Sequence, residues 1–411
     1  MKILIPYGRD HIEAAIPEKN VLDIIKSEAP KHSEEEPQII RSALRNPIAS
    51  KRLLNLARGK RSAVILASDI TRPSPSFKFL PFIIDELEAA GIRDITILFG
   101  LGIHRKQTPE ERLKLAGQYA AGKARRLIDS DEGERTFIGY TRYHTPVEVC
   151  GEALKSDLLI ATGNLEYHYF VGYSGGVKAA VPGICSRRTI QANHSLMLDD
   201  RAVTGNYANN PVRQDIEEAG QMVGIHFLFN VILDDSKRII AAVSGDVREA
   251  YIRGIELYDA FFKRVVHEKA DIVITSAGGY PKDMNLYQAQ KALDNVKGIV
   301  KDDGEIVLVA SCEEGFGEKT FEEWMADARN YERLNARIRE KFVLGGHKAV
   351  AISKLLSKRR VLLHSCFGRE ETERLGFVKV GHLQSYLDTK IKHSPGVRIV
   401  VAPSGRFVQY R

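Results

Sequence analysis

Cysteine is scarce and scattered in this chain: Cys150, Cys185, Cys312 and Cys366 are all there is, with no Cys-x-x-Cys pair. That argues against a disulfide framework and a structural zinc site, and suits a reducing compartment. Long apolar runs are also missing, none reaching the roughly eighteen residues a membrane helix needs. No membrane partner is therefore expected. The opening MKILIPYGRDHIEAAIP lacks the apolar stretch of a signal peptide and reads as a strand, so the expected location is the cytoplasm. A concentrated basic stripe is absent too. The +7 formal charge is a small excess of 60 basic over 53 acidic side chains spread along the whole chain. Such a spread argues against nucleic acid and fits a small anionic substrate.

What is present is a soluble globular balance, 44% hydrophobic and 27% charged, in a chain of 411 residues. That length exceeds one ordinary core, so two domains are expected. Short β-branched runs recur at Ala63–Ala67, Ile95–Phe99, Leu158–Ala161, Ile272–Thr275, Ile306–Ala310, Val361–Leu363 and Val397–Ala402. Amphipathic segments such as Phe77–Ala90 and Pro109–Gln118 lie between several of them. The alternation predicts an α/β protein with two domains and mostly parallel sheets. The boundary is expected where the helical run Ala250–Arg264 gives way to a new strand. Residues 1–265 would form the first domain and 266–399 the second, with 400–411 packing back on the first.

Three chemical signals follow three of those strands. Ser68-Asp69-Ile70-Thr71-Arg72-Pro73 comes after the first, and Gly100-x-Gly102-x-His104-Arg105 after the second. The third is GNLEYHYFVGYSGGVKAAVPGICSRRTIQANHS, Gly163 to Ser195, with His168, Lys178 and His194 around a Ser174-Gly175-Gly176 turn. Loops beyond the carboxyl ends of parallel strands are where open α/β sheets bind ligands. Glycines beside a lysine suit an anion, because backbone without Cβ atoms brings N–H groups close to phosphate oxygens. In the second half, Asp283 is expected to cap a helix that sets Tyr287 and Lys291 on one face with Gln288 beside them, an ammonium and amide suited to a carboxylate.

Each fragment has a blander reading. Asp69 and Arg72 could be a local ion pair, His168 part of an aromatic cluster with Tyr167, Tyr169 and Phe170, and His194 a helix-end hydrogen bond. Gln288 and Lys291 could be an exposed helix face, and His347 in Gly345-Gly346-His347-Lys348 has still weaker surroundings. Gly100-x-Gly102 is not a dinucleotide fingerprint, since Arg105 stands at its third glycine. Gly172-Tyr-Ser-Gly-Gly-Val177-Lys178-Ala179 is not a P-loop, lacking both the glycine before lysine and the hydroxyl after it. No His-Glu-x-x-His occurs, so a metal-dependent hydrolase or lyase would need His104, His168 and His194 to converge in space. A non-catalytic module binding an anionic nucleotide is the third possibility.

Taken together, the segments resemble the lactate racemase family. The likeness rests on Ser68-Asp69-x-Thr71-Arg72-Pro73, Gly102-x-His104-Arg105, His168-Tyr-Phe-x-Gly-Tyr-Ser-Gly-Gly-x-Lys178 with Pro182-Gly183, His194, and Tyr287-Gln288-x-x-Lys291. The resemblance implies a nickel-pincer nucleotide, a pyridinium mononucleotide holding nickel through sulfur and carbon, in a cleft between two α/β domains. It implies His194 as the protein ligand to nickel, and Lys178 against the cofactor, with a thioamide link to it as the covalent form. Asp69, Ser174, Gly175 and Gly176 would hold the ribose and phosphate side. His104 and His168 would be the paired acid/base groups while hydride leaves and returns to C2 of a 2-hydroxy acid. Arg72, Gln288 and Lys291 would anchor its carboxylate, with Tyr287 lining the same cleft. Cofactor-biosynthesis proteins are the implied partners. One departure concerns the substrate: lactate-specific members place a tryptophan late in the chain, where this sequence has Gly345–Ala349, and Trp324 does not match that position. This leaves the substrate's side chain open: a polar or cationic residue there could admit a longer or more polar 2-hydroxy acid, such as a dicarboxylic or an aldonic acid.

Overall fold

The computed structural model describes residues 1–25, 34–72, 74–234, 236–405 and 408–410; Pro73 of the first motif lies outside them. The chain divides into two compact units, one of Ala29–Phe261 and one of Met1–Glu28 with Phe262–Arg411.

The Ala29–Phe261 unit is built on a six-stranded sheet. Its strands run in the order Ile239–Gly245, Phe227–Leu233, Leu158–Asn164, Ser62–Ser68, Asp94–Gly100 and Arg126–Asp129, all parallel except the first pair. The central strands are continuous apolar runs because helices and turns cover both faces. Alternate side chains of one strand feed two cores. Ile65 and Ala67, with Ile97 and Phe99, pack on Phe79, Ile83 and Leu87 of the helix Ser76–Ala89. Val64 and Leu66, with Leu98, face Val177, Val181, Ile184 and Ile190. Each such side chain contributes about 1.5–3 kcal/mol by leaving water. The second core thus seats the Lys178-bearing segment directly on the sheet. The helix Pro109–Lys123 starts at the box read from sequence: Thr108 accepts from the Glu111 N–H at 3.2 Å, and Glu111 accepts from the Thr108 N–H at 2.9 Å.

The other unit carries a six-stranded sheet in the order Val378–Lys379, Arg360–His364, Val300–Val309, Ala270–Ser276, Ile399–Ala402 and Val21–Ile24, parallel throughout. The opening segment is a hairpin, Lys2–Tyr7 with Asp10–Ala15. Its Ile3 and Ile5 join the core of Ile272, Ile274, Val307 and Val309.

These pairings change the expected domain limits. Val21–Ile24 and Ile399–Ala402 are partners in the same sheet as Ala270–Ser276. Among the described residues, the opening 1–25 and the strand Ile399–Ala402 therefore group with residues 262–399, where a first domain of 1–265 with 400–411 packed on it was expected. Apolar strands give no sign of which sheet edge they will extend, since edge pairing is made by backbone groups common to all residues.

Candidate active site

Within the Ala29–Phe261 unit, the strands Leu158–Asn164, Ser62–Ser68 and Asp94–Gly100 are neighbours. Their carboxyl ends lead directly into the segments holding His168–Lys178, Asp69–Arg72 and His104. Close backbone contact joins these loops. A Cβ on Gly100 would lie 3.0 Å from the Gly183 backbone. The Gly102 N–H donates to Gly183 O at 2.8 Å, and the Gly183 N–H to Lys178 O at 3.2 Å. The glycines of the 100–102 turn thus let the His104 loop lie on the Lys178 segment.

His104 sits in a strand-to-helix loop, as its sequence context predicts. Its Nδ1 lies 2.7 Å from Oδ2 of Asp69, whose side chain is only 2% exposed while the histidine's is 33% exposed. The Thr71 hydroxyl contacts both Asp69 oxygens, at 3.0 and 3.1 Å. A carboxylate accepts hydrogen bonds, so Nδ1 carries the ring proton and Nε2 is the acceptor. Buried carboxylate, oriented imidazole and outward lone pair are the arrangement that general-base chemistry requires. Arg72 Nε lies 4.0 Å from Asp69 Oδ1 while its side chain remains 54% exposed, so the local ion pair leaves the guanidinium accessible.

His168 ends the two-residue strand Tyr167–His168, paired with Gly172–Tyr173. Its Nδ1 accepts the Val171 N–H at 3.4 Å, which places the ring proton on Nε2. Its ring stacks on Tyr169 at 5.3 Å and meets Phe170 edge-on at 4.7 Å. The aromatic cluster is real, and it also links the site: Phe170 packs its other neighbour, His194, at 5.0 Å.

His194 lies on the helix Arg187–Ser195, one residue after buried Asn193. Its Nδ1 lies 3.1 Å from Asn193 Oδ1. Asn193 is fixed in turn through its Nδ2, which donates to Val212 O at 3.2 Å and Asp215 Oδ2 at 2.7 Å. With Nδ1–H donated to an amide oxygen, the Nε2 lone pair is oriented for a ligand bond. Protein surrounds both His194 and Lys178 on most sides, although each keeps partial exposure. Desolvation, then the charges of Lys178 and Arg72, press the His194 imidazole down to a pKa of about 3. Desolvation first, then Arg72 and Arg213, holds Lys178 well below the ordinary lysine range, with Glu166 opposing. A neutral imidazole is a metal ligand and a neutral amine is a nucleophile.

The Ser174-Gly175-Gly176 turn is locked from within. The Ser174 hydroxyl donates to Asn164 O at 3.0 Å and accepts the Glu166 N–H at 2.8 Å, while the Gly176 N–H donates to Asn230 Oδ1 at 2.7 Å. Gly175 and Gly176 have φ of +75° and +63°, and a Cβ on Gly176 would stand 2.7 Å from Arg213 Nη2. The hydroxyl of Ser174 and the amide of Gly176 are thus already bonded within the protein.

In the other unit the expected cap is replaced. The helix is Leu286–Val296 and Asn285 caps it, accepting the Gln288 N–H at 3.1 Å. Asp283 is instead buried, accepting the Gly8 N–H at 2.7 Å and the Ser311 N–H at 3.1 Å. Tyr287 and Lys291 do share a helix face, and Lys291 Nζ donates to Gln288 Oε1 at 2.9 Å. Sequence reasoning missed Lys348, which is 3% exposed with Nζ 3.5 Å from the Tyr287 ring centroid and bonded to Tyr287 O. Desolvation, then the Lys291 charge, holds Lys348 well below the ordinary range. His347 is a buried structural residue, its Nδ1 accepting the Gly345 N–H at 3.2 Å. Trp324 lies beneath the same turn, 2.7 Å from where a Cβ on Gly346 would stand. The Asp69–His104 coupling was also unforeseen, because thirty-five residues separate the partners.

Among the described residues, His104, His168 and His194 do not bring their ring nitrogens within 4.8 Å of one another, so no three-histidine metal cage forms. The acidic trio that does converge, Asp129, Asp131 and Glu132, is a separate cluster. No helix among the described residues is long and apolar enough to cross a membrane.

Residues 7–205 match the model of the lactate racemase N-terminal domain and residues 265–367 that of the lactate racemase C-terminal domain. A lactate racemase from Thermoanaerobacterium thermosaccharolyticum is 33% identical over 372 residues, covering 88% of this chain and 87% of its own. One from Lactiplantibacillus plantarum is 34% identical over 333 residues, covering 79% and 78%. The solved lactate racemase apoprotein from the former organism superposes with a TM-score of 0.90 at 31% identity, covering 100% of each chain. A Thermotoga maritima protein of TM-score 0.63 and 15% identity shares the fold alone. Fold and comparisons together define an isomerase of the racemase class. The chain belongs to the lactate racemase family.

Proposed function

We propose that this enzyme inverts C2 of a 2-hydroxy carboxylic acid, with His104 and His168 as acid/base pair and a nickel-pincer nucleotide seated at Lys178 and His194. The observation that carries the reading is the donor set: an imidazole kept neutral, with Nδ1 held by Asn193, beside a lysine whose hold on its proton is weakened by burial and neighbouring guanidiniums. Imidazole is a suitable nickel ligand, and the Lys178 amine, once its proton is lost, could form a thioamide with a thiocarboxylic acid, water leaving. Bound there, the cofactor would supply a hydride acceptor and donor for C2.

The chain's own residues handle protons and position. His104 presents a lone pair at Nε2 and takes the substrate's hydroxyl proton, while Asp69 holds the ring and stabilises its charged form. His168 presents a proton at Nε2 and returns one to the oxygen. The two rings thus rest in complementary proton states, which a reaction run in both directions needs. Asp69 acts in this reading by positioning His104, and the Ser174–Gly176 turn by fixing Lys178. Arg72 is the candidate for binding the substrate carboxylate in its unit, and the Gln288–Lys291 pair is the candidate for that role in the other. Ser74 and Ser76, buried hydroxyls without a protein partner before and at the start of the helix Ser76–Ala89, add donors for an anionic group. Lys348 over Tyr287 argues for a substrate more polar than lactate. Cofactor-biosynthesis proteins would load the enzyme, in the cytoplasm.

The test is a chiral assay of cofactor-loaded enzyme in heavy water on lactate, dicarboxylic and aldonic 2-hydroxy acids. Inversion without deuterium at C2, and an added mass or nickel retained in a Lys178- and His194-dependent way, are expected. Substantial deuterium at C2 would mean ordinary proton abstraction and overturn the reading.

A further inference from the structure

Two thiols distant in sequence lie together at the carboxyl edge of the second unit's sheet. Val309 and His364 are register partners at the ends of neighbouring strands. The ladder continues past them: the Ala310 N–H donates to His364 O at 3.0 Å and the Cys366 N–H to Ser311 O at 2.9 Å. That last bond joins the peptide entering Cys312 to Cys366 itself. Standard bond lengths then hold the two Cα atoms to about 7 Å or less, the range that a disulfide can span. Cys366 is exposed and Cys312 is buried. The Tyr7 hydroxyl lies 3.5 Å from Cys366 Sγ. Lys379 Nζ is fastened to the carbonyls of Ser365, at 2.7 Å, and Phe367, at 2.5 Å, so an ammonium flanks Cys366 on the chain. Burial keeps Cys312 protonated.

We propose that Cys366 and Cys312 form a reversible redox pair, with Cys366 the thiol that meets a hydroperoxide and Cys312 the thiol that resolves it. In the first step the Cys366 sulfur attacks a peroxide oxygen: an S–O bond forms, the O–O bond breaks and hydroxide leaves, giving a sulfenic acid. In the second, Cys312 attacks that sulfur: the S–S bond forms, the S–O bond breaks, and the released oxygen departs as water with the Cys312 proton. Two electrons pass from the thiols to the peroxide, and a dithiol such as dithiothreitol returns them. A transient, sensing disulfide of this kind is compatible with a reducing compartment.

The bond would act on the residues that bear the proposed substrate groups. The loop 312–316 holds the segment 283–287 by four backbone hydrogen bonds: Cys312 N–H to Asp283 O at 2.8 Å, Glu314 N–H to Met284 O at 2.8 Å, Leu286 N–H to Gly315 O at 3.0 Å and Tyr287 N–H to Phe316 O at 3.1 Å. Drawing Cys312 toward Cys366 strains that seam. On the reading that Tyr287, Gln288 and Lys291 contact substrate, oxidation raises KM severalfold while kcat is retained.

Full-length protein treated with equimolar hydrogen peroxide, blocked and digested, should yield a Cys312–Cys366 linked peptide lighter by two hydrogens than the two thiol peptides. Dithiothreitol should abolish it, and both C366S and C312S should prevent it. In C312S, Cys366 should accumulate as a sulfenic acid trapped by dimedone. Wild-type Cys366 passing to sulfinic acid without a link, or a link formed by Cys150 or Cys185, overturns the pair. A fully linked sample with unchanged KM overturns its control of substrate binding. Inactivity of reduced, cofactor-loaded enzyme on every 2-hydroxy acid would instead strike the functional reading, leaving the peptide result to stand or fall separately.

Discussion

Each unit buries a lysine beside an aromatic or cationic neighbour, and the two lysines differ in how they are held. Lys178 in the Ala29–Phe261 unit is flanked by the charges of Arg72 and Arg213, with Glu166 the opposing influence. Lys348 in the other unit has its Nζ on the Tyr287 carbonyl and over the Tyr287 ring. Desolvation is the first cause of the lowered pKa in both. Repulsion adds to burial in both, from Arg72 and Arg213 at Lys178 and from Lys291 at Lys348; what sets Lys348 apart is the carbonyl its Nζ donates to and the ring beneath it. Burial is the largest cause in both, and the neighbours distinguish the two sites.

Replacing the two lysines is the strongest way to break that comparison. K178R keeps a long nitrogen-bearing side chain but removes the primary amine. It should lose racemase activity entirely and retain no cofactor mass, whereas K348M should still load cofactor; intact mass and turnover read both. Next come the proton-handling residues. H104A is expected to lower kcat by on the order of 10²–10⁴. D69N should approach that loss with KM little changed, since an amide would favour the wrong tautomer. A D69N enzyme with normal kcat would remove Asp69 from the mechanism. K348M should raise KM for a polar substrate about tenfold, the worth of a buried hydrogen bond left unmade, and matter less for lactate. Equal effects on both substrates would reduce Lys348 to a packing residue.

Two stability changes sharpen the contrast between a scaffold and its surface. G176A meets a positive φ and close contacts to Arg213 and Tyr251, so about 2 kcal/mol or more of stability should go, by the cost of strained backbone and overpacking. T108A removes one side of the capping box and should cost about 1 kcal/mol. Denaturant midpoints check both, and the order G176A above T108A is the expectation.

Much of this protein can be read from its residues. The strands at 63–67, 95–99 and 158–161 appear as Ser62–Ser68, Asp94–Gly100 and Leu158–Asn164, because runs of β-branched and aliphatic residues buried on both sides have few alternatives. Thr108 caps its helix through contacts only three residues long, so local sequence contains the whole interaction. Asp283 shows the limit: its carboxylate satisfies the amides of Gly8 and Ser311, and the cap passes to Asn285. A carboxylate is as good a partner for a distant amide as for a near one, and distance along the chain does not rank them.

The sequence by itself settled the α/β class and the family, because hydrophobic period, turn chemistry and motif order are local or linear properties. Only the tertiary structure decided that Val21–Ile24 and Ile399–Ala402 share a sheet, that Asp69 grips His104, and that Phe170 stands between His168 and His194. Those outcomes depend on which surfaces meet after the chain has folded back. Backbone pairing and desolvation act through space, and the order of residues encodes them only through the whole fold.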